Sequence, residues 1–435
     1  MAIIPQKRLF GWEEIEELGD LERLRLVLEH LPDEELMRIL ERERGRGRNR
    51  YPVRAVWNSI LAGVVYQHES VESLRRELSR NGQLRMMCGL GMVPPSWVYS
   101  RFLRALLRHP AEVEAIFERL VPDLSELLPD FGRRLAFDGK ALESHANPRK
   151  KGEKEKAPDG RRDLDADIGV KTYRGQHADG TVWEKVTSWF GYRLHLLVDA
   201  TYELPVAYEV TKASESEVKQ AHKILDETAT RHPEIVSRCE YFTADRGMDD
   251  GKLIVKLWDE YGIKPVIDIR NSWRDGEATR LVTGETNVVY DYKGTVFCHD
   301  PLSGARREMA YGGLEKDRGT LKYRCPARHY GIVCPGREEC PVRSGVRIKM
   351  EEDRRIFTPL ARSSYKWERE YDRRTAVERV NSRIDVVFGF ENHYIRGLKK
   401  MKTRMGLALC VMLAMAVGRI KEKKPEKMRS LVRVS

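Results

Sequence analysis

Apolar positions recur at helical spacing through the first hundred residues. Leu21, Leu24, Leu28 and Leu31 mark one helix, closed by Pro32-Asp33. After an Arg/Gly loop over Arg44–Arg50, the same periodicity predicts helices over Val53–Gln67, Ser70–Leu78 and Ser96–Arg108. The pattern changes at Arg133. Leu135-Ala-Phe-Asp138-Gly139 reads as a short apolar strand, and the polar stretch 143–185 as a mobile loop. Tyr192–Asp199 and Leu204–Val210 predict an antiparallel hairpin. A helix over Glu215–Thr230, a strand over Cys239–Asp245, a helix over Gly251–Tyr261 and a strand over Lys264–Ile269 follow. Short β-like runs then occupy Asn287–Tyr292, Thr295–His299, Leu321–Cys325 and Val346–Met350. From Trp367 the period is helical again. The longest apolar run, Met405–Val417, is too short to span a bilayer and predicts a buried helix.

This order predicts a mixed α/β fold, with helices packed on a mixed sheet. It divides the chain into a helical region (1–110), a first core segment (130–270), a β-rich insertion (271–360), a last core segment (361–420) and a basic tail (421–435).

The 435 residues are 41% hydrophobic and 33% charged, with a formal net charge of +11. The charge is clustered. Arg396–Ser435 holds twelve Lys or Arg against two acids. Further clusters run from Arg42 to Arg54 and from Arg149 to Arg162. One such cluster is ordinary solvated charge, but three point to a polyanionic partner such as nucleic acid. The opening residues lack the apolar core of a secretory signal and soon turn acidic at Glu13 and Glu14. Seven cysteines, an odd number without a dense framework, fit a reducing cytoplasmic setting with no membrane partner.

Asp138 and Asp245 each end a short apolar strand, just before Gly139 and Arg246-Gly247. Such an acid can do no more than make a turn. It can also point into the crevice at the sheet edge, where open α/β sheets place ligands. At about 100° per residue, a helix from Tyr371 to Asp385 puts Tyr371, Arg374, Glu378 and Asp385 within roughly 60° of one another. Val377, Val380, Ile384, Val387 and Phe388 fall on the opposite, core-facing side. Taken alone, Arg374 and Glu378 are also an ordinary i,i+4 ion pair. Three acids gathered in one place would suit phosphodiester cleavage. Two divalent ions about 4 Å apart activate a water and neutralise the leaving oxygen, and Mg²⁺ is satisfied by a few carboxylates and waters.

These residues resemble the DDE-class insertion-sequence transposases, in the branch with a Tyr-Arg-Glu-Lys signature. The resemblance covers most of the chain and rests on Phe137-Asp138-Gly139, Phe190-Gly191-Tyr192-Arg193-Leu194-His195, Thr243-Ala244-Asp245-Arg246-Gly247 and the signature at Tyr371, Arg374 and Glu378. It implies a ribonuclease-H-like catalytic core with an N-terminal helical domain for DNA binding or dimerisation. Asp138, Asp245 and Glu378 would be the catalytic metal ligands, for Mg²⁺ or Mn²⁺ as a pair of ions. It also implies binding to the terminal inverted repeats, DNA cleavage followed by strand transfer, and a homodimer in the synapse. Tyr371 and Arg374 would steer the DNA backbone, and Lys399, Lys400, Lys402 and Arg404 would meet phosphate. One position departs from the signature: Asp385 stands where Lys is expected, which puts that phosphate contact in doubt, with Arg379 or Arg383 as substitutes off the stripe. A nuclease or resolvase on the same core, and a retired transposase that only binds DNA, are the alternatives.

Four of the seven cysteines, Cys298, Cys325, Cys334 and Cys340, lie in the β-rich insertion. Four thiolates can hold a structural Zn²⁺. Their spacing has no tight pair, so unlinked thiols remain the other reading. Some relatives of the resembled family hold a flipped base on an aromatic residue, for which Trp273, in the first loop of the insertion, is a candidate; a packing residue is the other and favoured reading.

Overall fold

The computed structural model describes residues 19–46, 49–148, 163–177, 179, 181–342 and 344–430. The basic cluster Arg149–Arg162 lies outside them, as do the last five residues of the tail.

Among the described residues, seven helices come first: α1 (Leu21–His30), α2 (Glu34–Arg44), α3 (Val53–Val65), α4 (Val71–Arg80), α5 (Gly82–Met87), α6 (Ser96–Leu106) and α7 (Pro110–Leu127). Ser70 caps α4 by accepting from the Ser73 N–H, and Asn81 caps α5 in the same way through Leu84. The central sheet follows, with β1 (Arg134–Glu143), β2 (Asp167–Gln176), β3 (Val182–Asp199), β4 (Leu204–Lys212), β5 (Tyr241–Ala244) and β6 (Lys264–Ile267). Helices α8 (Glu217–Arg231), α9 (Pro233–Arg238) and α10 (Gly251–Asp259) are interleaved with the later strands.

Strand β3 is the organiser of the sheet. Its first half pairs antiparallel with β2, and its second half lies between β1 and β4, antiparallel to both. Gly191 is the handover residue, opposite Asp167 on β2 and Glu143 on β1. Strands β1, β5 and β6 are mutually parallel, so their C-terminal ends open on one edge. The sheet is therefore mixed, as the element pattern predicts.

One expectation fails here. Part of the stretch 143–185 is not loop, because Asp167–Gln176 is a strand. Its polar composition hides the packing device. Trp189 and Trp183 lie where a side chain on Gly169 and Gly175 of the partner strand would be, 2.3 and 2.4 Å from an added Cβ. A bulky ring over glycine covers the strand without any apolar alternation in sequence.

The β-rich region carries two small sheets. One is β7 (Arg280–Leu281), β8 (Val288–Tyr290), β9 (Val296–His299) and β10 (Arg306–Glu308). The other is β11 (Ala310–Glu315), β12 (Thr320–Arg324) and β13 (Gly345–Lys349), with the short α11 (Pro326–Tyr330) between its last two strands. This region has its own core of Val288, Val296, Leu321, Tyr323, Ile348 and Phe357. Trp273 packs there edge-on to Tyr290, with the Arg280 guanidinium over its ring.

The chain returns as α12 (Tyr365–Tyr371), α13 (Thr375–Val386) and α14 (Leu398–Lys421). Val377, Val380 and Ile384 of α13 are fully buried, as the periodicity predicts. The single helix expected over 371–385 is instead broken by a 3-10 turn at Asp372–Arg374. Helix α14 has the length and apolarity to cross a membrane, yet its stretch Met405–Val417 is buried inside the protein, against α7, α1, α3 and β4. One continuous core therefore joins residues of the first helices, the central sheet, α13 and α14.

Candidate active site

Parallel pairing places the acids. Phe137 of β1 lies opposite Ala244 of β5, and Ala244 lies opposite Ile267 of β6. The next residues are Asp138, Asp245 and Asp268. They continue one row across three strands spaced about 4.8 Å apart. Apolar runs bury the strands up to that row, and the pairing of β1 with β5 ends there. The acids thus sit at the C-terminal edge of the parallel strands, where open sheets take ligands.

Each carboxylate is held locally. Asp138 Oδ1 accepts the Gly139 N–H at 2.8 Å, and Asp245 Oδ1 accepts the Gly247 N–H at 2.8 Å. Burial is the main cause that pushes the Asp138 carboxyl above its ordinary value. The charge of Asp245 adds to it, and Lys171, the Gly139 N–H and Arg374 oppose it. A half-buried carboxylate pushed up by burial and by the neighbouring acid is a good fit for a hard divalent cation, which would relieve it.

Arginines hold the acids around this pair. Asp268 binds Arg246 at 2.6 Å. Glu217, at the start of α8, binds Arg193 at 2.7 Å and lies against Gly139. Burial pushes its carboxyl up, with Asp138 and Asp245 adding to the shift against Arg193 and Lys171. Glu378 binds Arg374 at 2.8 Å, with its side chain 51% exposed. Tyr371 stacks on Trp367 at 4.7 Å, and the charges of Asp268, Arg374 and Asp245 all reach its hydroxyl.

The structure thus brings Asp138 and Asp245 together and sets Tyr371 and Arg374 beside them. It leaves Glu378 in its ion pair. Among the described residues, no three His, Cys, Asp or Glu side chains stand at metal-holding spacing. Asp268 and Glu217 were not visible as site residues in the sequence, because only strand register and the start of α8 bring them there.

Asp385 does not stand alone. Lys140, two residues beyond Asp138 on β1, donates to it at 2.5 Å. Arg379 and Arg383, the sequence substitutes for the missing lysine, both bind the buried Glu203. Of the basic positions before and within α14, Lys399 and Lys400 are exposed, Lys402 pairs with Glu209 at 2.5 Å, and Arg404 turns inward. Within the Arg42–Arg54 cluster, Arg54 is committed to Asp33 and Glu34.

The transposase DDE domain family matches residues 133–414, from β1 into α14. The chain is a member of that family. No curated protein aligns significantly with this transposase. Among solved structures, it is similar to the piggyBac transposase, determined by cryo-EM as a synaptic complex with hairpin DNA. The identity is 11% and the TM-score 0.37, over 97% of this chain and 80% of that one. So distant a likeness transfers no residue.

In the β-rich region, burial pushes the Cys298 thiol up to about 11, and the nearby Cys325, Cys340 and Cys334 add to the shift. Cys334 donates to Asp300 at 3.4 Å, and Asn287 donates to Cys340 at 3.4 Å. All four thiols are free.

Proposed function

We propose that this transposase binds the terminal inverted repeats of its element and carries out metal-dependent cleavage followed by strand transfer. The observation that carries the reading is the register that makes Asp138 and Asp245 neighbours at the open edge of parallel strands. Sheet topology supports a ribonuclease-H-like core. Taken from one edge, the strands run β4, β3, β1, β5, β6, with β3 antiparallel to the parallel set β1, β5 and β6.

Asp138 and Asp245 supply the first carboxylates, and Glu378 the third. When bound, a pair of Mg²⁺ or Mn²⁺ ions would activate the attacking water and neutralise the leaving oxygen. Arg374 holds Glu378 at the site until DNA enters, then turns its guanidinium to a backbone phosphate and frees the carboxylate. Tyr371, stacked against Trp367, orients the strand beside the row. Lys140 takes the phosphate-facing place that the signature assigns to lysine, positioned by Asp385. Two copies of the chain would hold two element ends in the synapse.

A strand-transfer reaction with element ends, with Mg²⁺ or Mn²⁺ present, tests this reading. Asp245→Asn should lose more than about a hundredfold in joining, the upper range that outer-shell partners of a metal already command. Joining that survives Asp245→Asn at the wild-type rate would remove the assignment.

A structural Zn²⁺ at Cys298, Cys325, Cys334 and Cys340 is the second part of the proposal, supported by the nearness of the other three thiols to Cys298, although they would have to draw together to hold it. Metal analysis of the purified protein should return one zinc per chain. Its absence at that level would leave the cysteines as separate thiols.

A further inference from the structure

A cavity of about 710 Å³ opens between the N-terminal helices and the start of α14. Its walls come from α3, the turn into α4, α6, the segment 388–396 and the first turns of α14. The size falls in the range of roughly 300–1,000 Å³ that encloses a small organic ligand.

Most of the lining is apolar, and Leu74, Leu103 and Leu407 form much of it. Arg404 is set into this wall. Its hydrogen-bond acceptor is the Phe388 carbonyl, at 3.4 Å, and among the described residues no carboxylate pairs with it. Burial alone pulls this guanidinium down to about 10.

Two imidazoles flank it. His68 contacts the Ser73 hydroxyl through Nδ1 at 2.9 Å, and its buried Nε2 has no partner. His393 accepts the Ile395 N–H. Burial lowers both imidazoles, with Arg404 adding to the effect, so they are neutral neighbours and not a second pair of cations.

A half-buried guanidinium in an apolar wall with no ion-pair partner carries a desolvation cost that a bound anion would offset. The apolar volume around it is far larger than a bare inorganic anion needs. The lining adds Arg104, Arg396 and Lys400 against one carboxylate, Glu69, and the 60% exposed ring of Tyr394.

We infer that this cavity binds one nucleotide unit, with its phosphate on Arg404 and its unstacked base against the apolar wall and Tyr394. The choice of a nucleotide over another anion rests on membership of the transposase family. Aromatic side chains commonly hold single bases by stacking, without regard to sequence. The nucleotide could belong to a DNA strand or be free in solution, and the chemistry is shared.

Thermal unfolding and fluorescence anisotropy of the full chain, in EDTA, test the inference. The probes are dAMP, a single-stranded hexanucleotide, inorganic phosphate and benzoate. The hexanucleotide should raise the Tm and bind at least tenfold more tightly than inorganic phosphate. A matching response to dAMP marks free nucleotide as a source, and a response to the hexanucleotide alone marks a DNA strand. Arg404→Met should fold, because it removes an uncompensated charge, and should lose at least tenfold in binding. Tyr394→Ala, at the exposed rim, should lose several-fold with an unchanged Tm. If Arg404→Met does not fold, Arg404→Lys carries the same test, since it keeps the charge and loses the planar fork. Wild-type affinity in the Arg404 variant, no response to either nucleotide probe, or equal binding of benzoate overturns the inference. Because the acidic row is left without metal in EDTA, failure here says nothing against the catalytic reading, and a strand-transfer failure says nothing against this one.

Discussion

At the scale of single residues, the site is a set of charges committed to one another until something arrives to claim them. Lys140 and Asp385 are the clearest case, an ion pair at 2.5 Å two residues along β1 from Asp138. Lys140→Ala should weaken DNA binding and reduce the slope of log affinity against log salt by about 1, the value of one lost phosphate contact. Lys140→Asp should be worse, and Lys140→Asp with Asp385→Lys should recover most of the loss. An uncoupled pair of effects in that double-mutant cycle would show that the two residues act apart. His195 offers a pH test beside Asp138. It lies fully buried on β3 opposite Gly139, hydrogen-bonded to Thr211, and burial first, then Arg193, pulls its imidazole down to about 3. The folded value is below the unfolded value near 6.5, so the unfolded chain takes up the proton first. The contribution of His195 to stability is thus fully present above pH 6.5 and is lost as pH falls toward 3. Urea unfolding of the wild type should steepen by up to about 1.4 kcal/mol per pH unit in that window relative to His195→Leu. Equal slopes would place the acid sensitivity elsewhere. Asp138 and Asp245 were legible in sequence because each follows an apolar run and precedes glycine or Arg-Gly. Asp268 and Lys140 were not, since one depends on strand register and the other on a partner 245 positions away.

The elements show where periodicity reads well and where it fails. Helix α13 buries the apolar positions its sequence predicts, Val377, Val380 and Ile384, because one apolar stripe packs on the core. The turn at Asp372–Arg374 breaks the expected continuous helix, and no proline or glycine marks the spot. Strand β2 escaped detection because its cover comes from tryptophans of the next strand lying over glycine. Gly191 is the element-scale weak point. It serves two pairings at once, and an added Cβ would stand 2.2 Å from the Leu142 carbonyl oxygen. Backbone cannot yield as a flexible side chain does, so Gly191→Ala should cost about 1–3 kcal/mol in denaturant unfolding, the usual range of overpacking. A variant as stable as wild type would mean that β3 can shift its register freely.

For the whole molecule, the mixed α/β class and the order of elements were readable from patterning, but the shared core was not. Periodicity shows which face of a helix is buried and is silent about what covers it. Helix α14 is what the N-terminal helices and β4 have in common. It approaches both closely: a Cβ on Gly406 would stand 2.6 Å from the Tyr208 hydroxyl, and one on Gly418 would stand 2.7 Å from Leu26. Arg419 fixes its far end to Glu22 at 2.8 Å. Removing residues 1–110 would uncover the α1 and α3 faces of α14, and burial of such side chains contributes roughly 25 cal/mol per Å². That fragment should lose its cooperative unfolding transition and become open to protease throughout the sheet. A sharp transition in the fragment would show that the sheet and α14 suffice. There is also a consequence for synthesis. A nascent polypeptide cannot close its interior until α14 has cleared the ribosomal exit tunnel. A premature stop anywhere upstream therefore yields an unfinished molecule for proteolysis, not a shortened DNA binder.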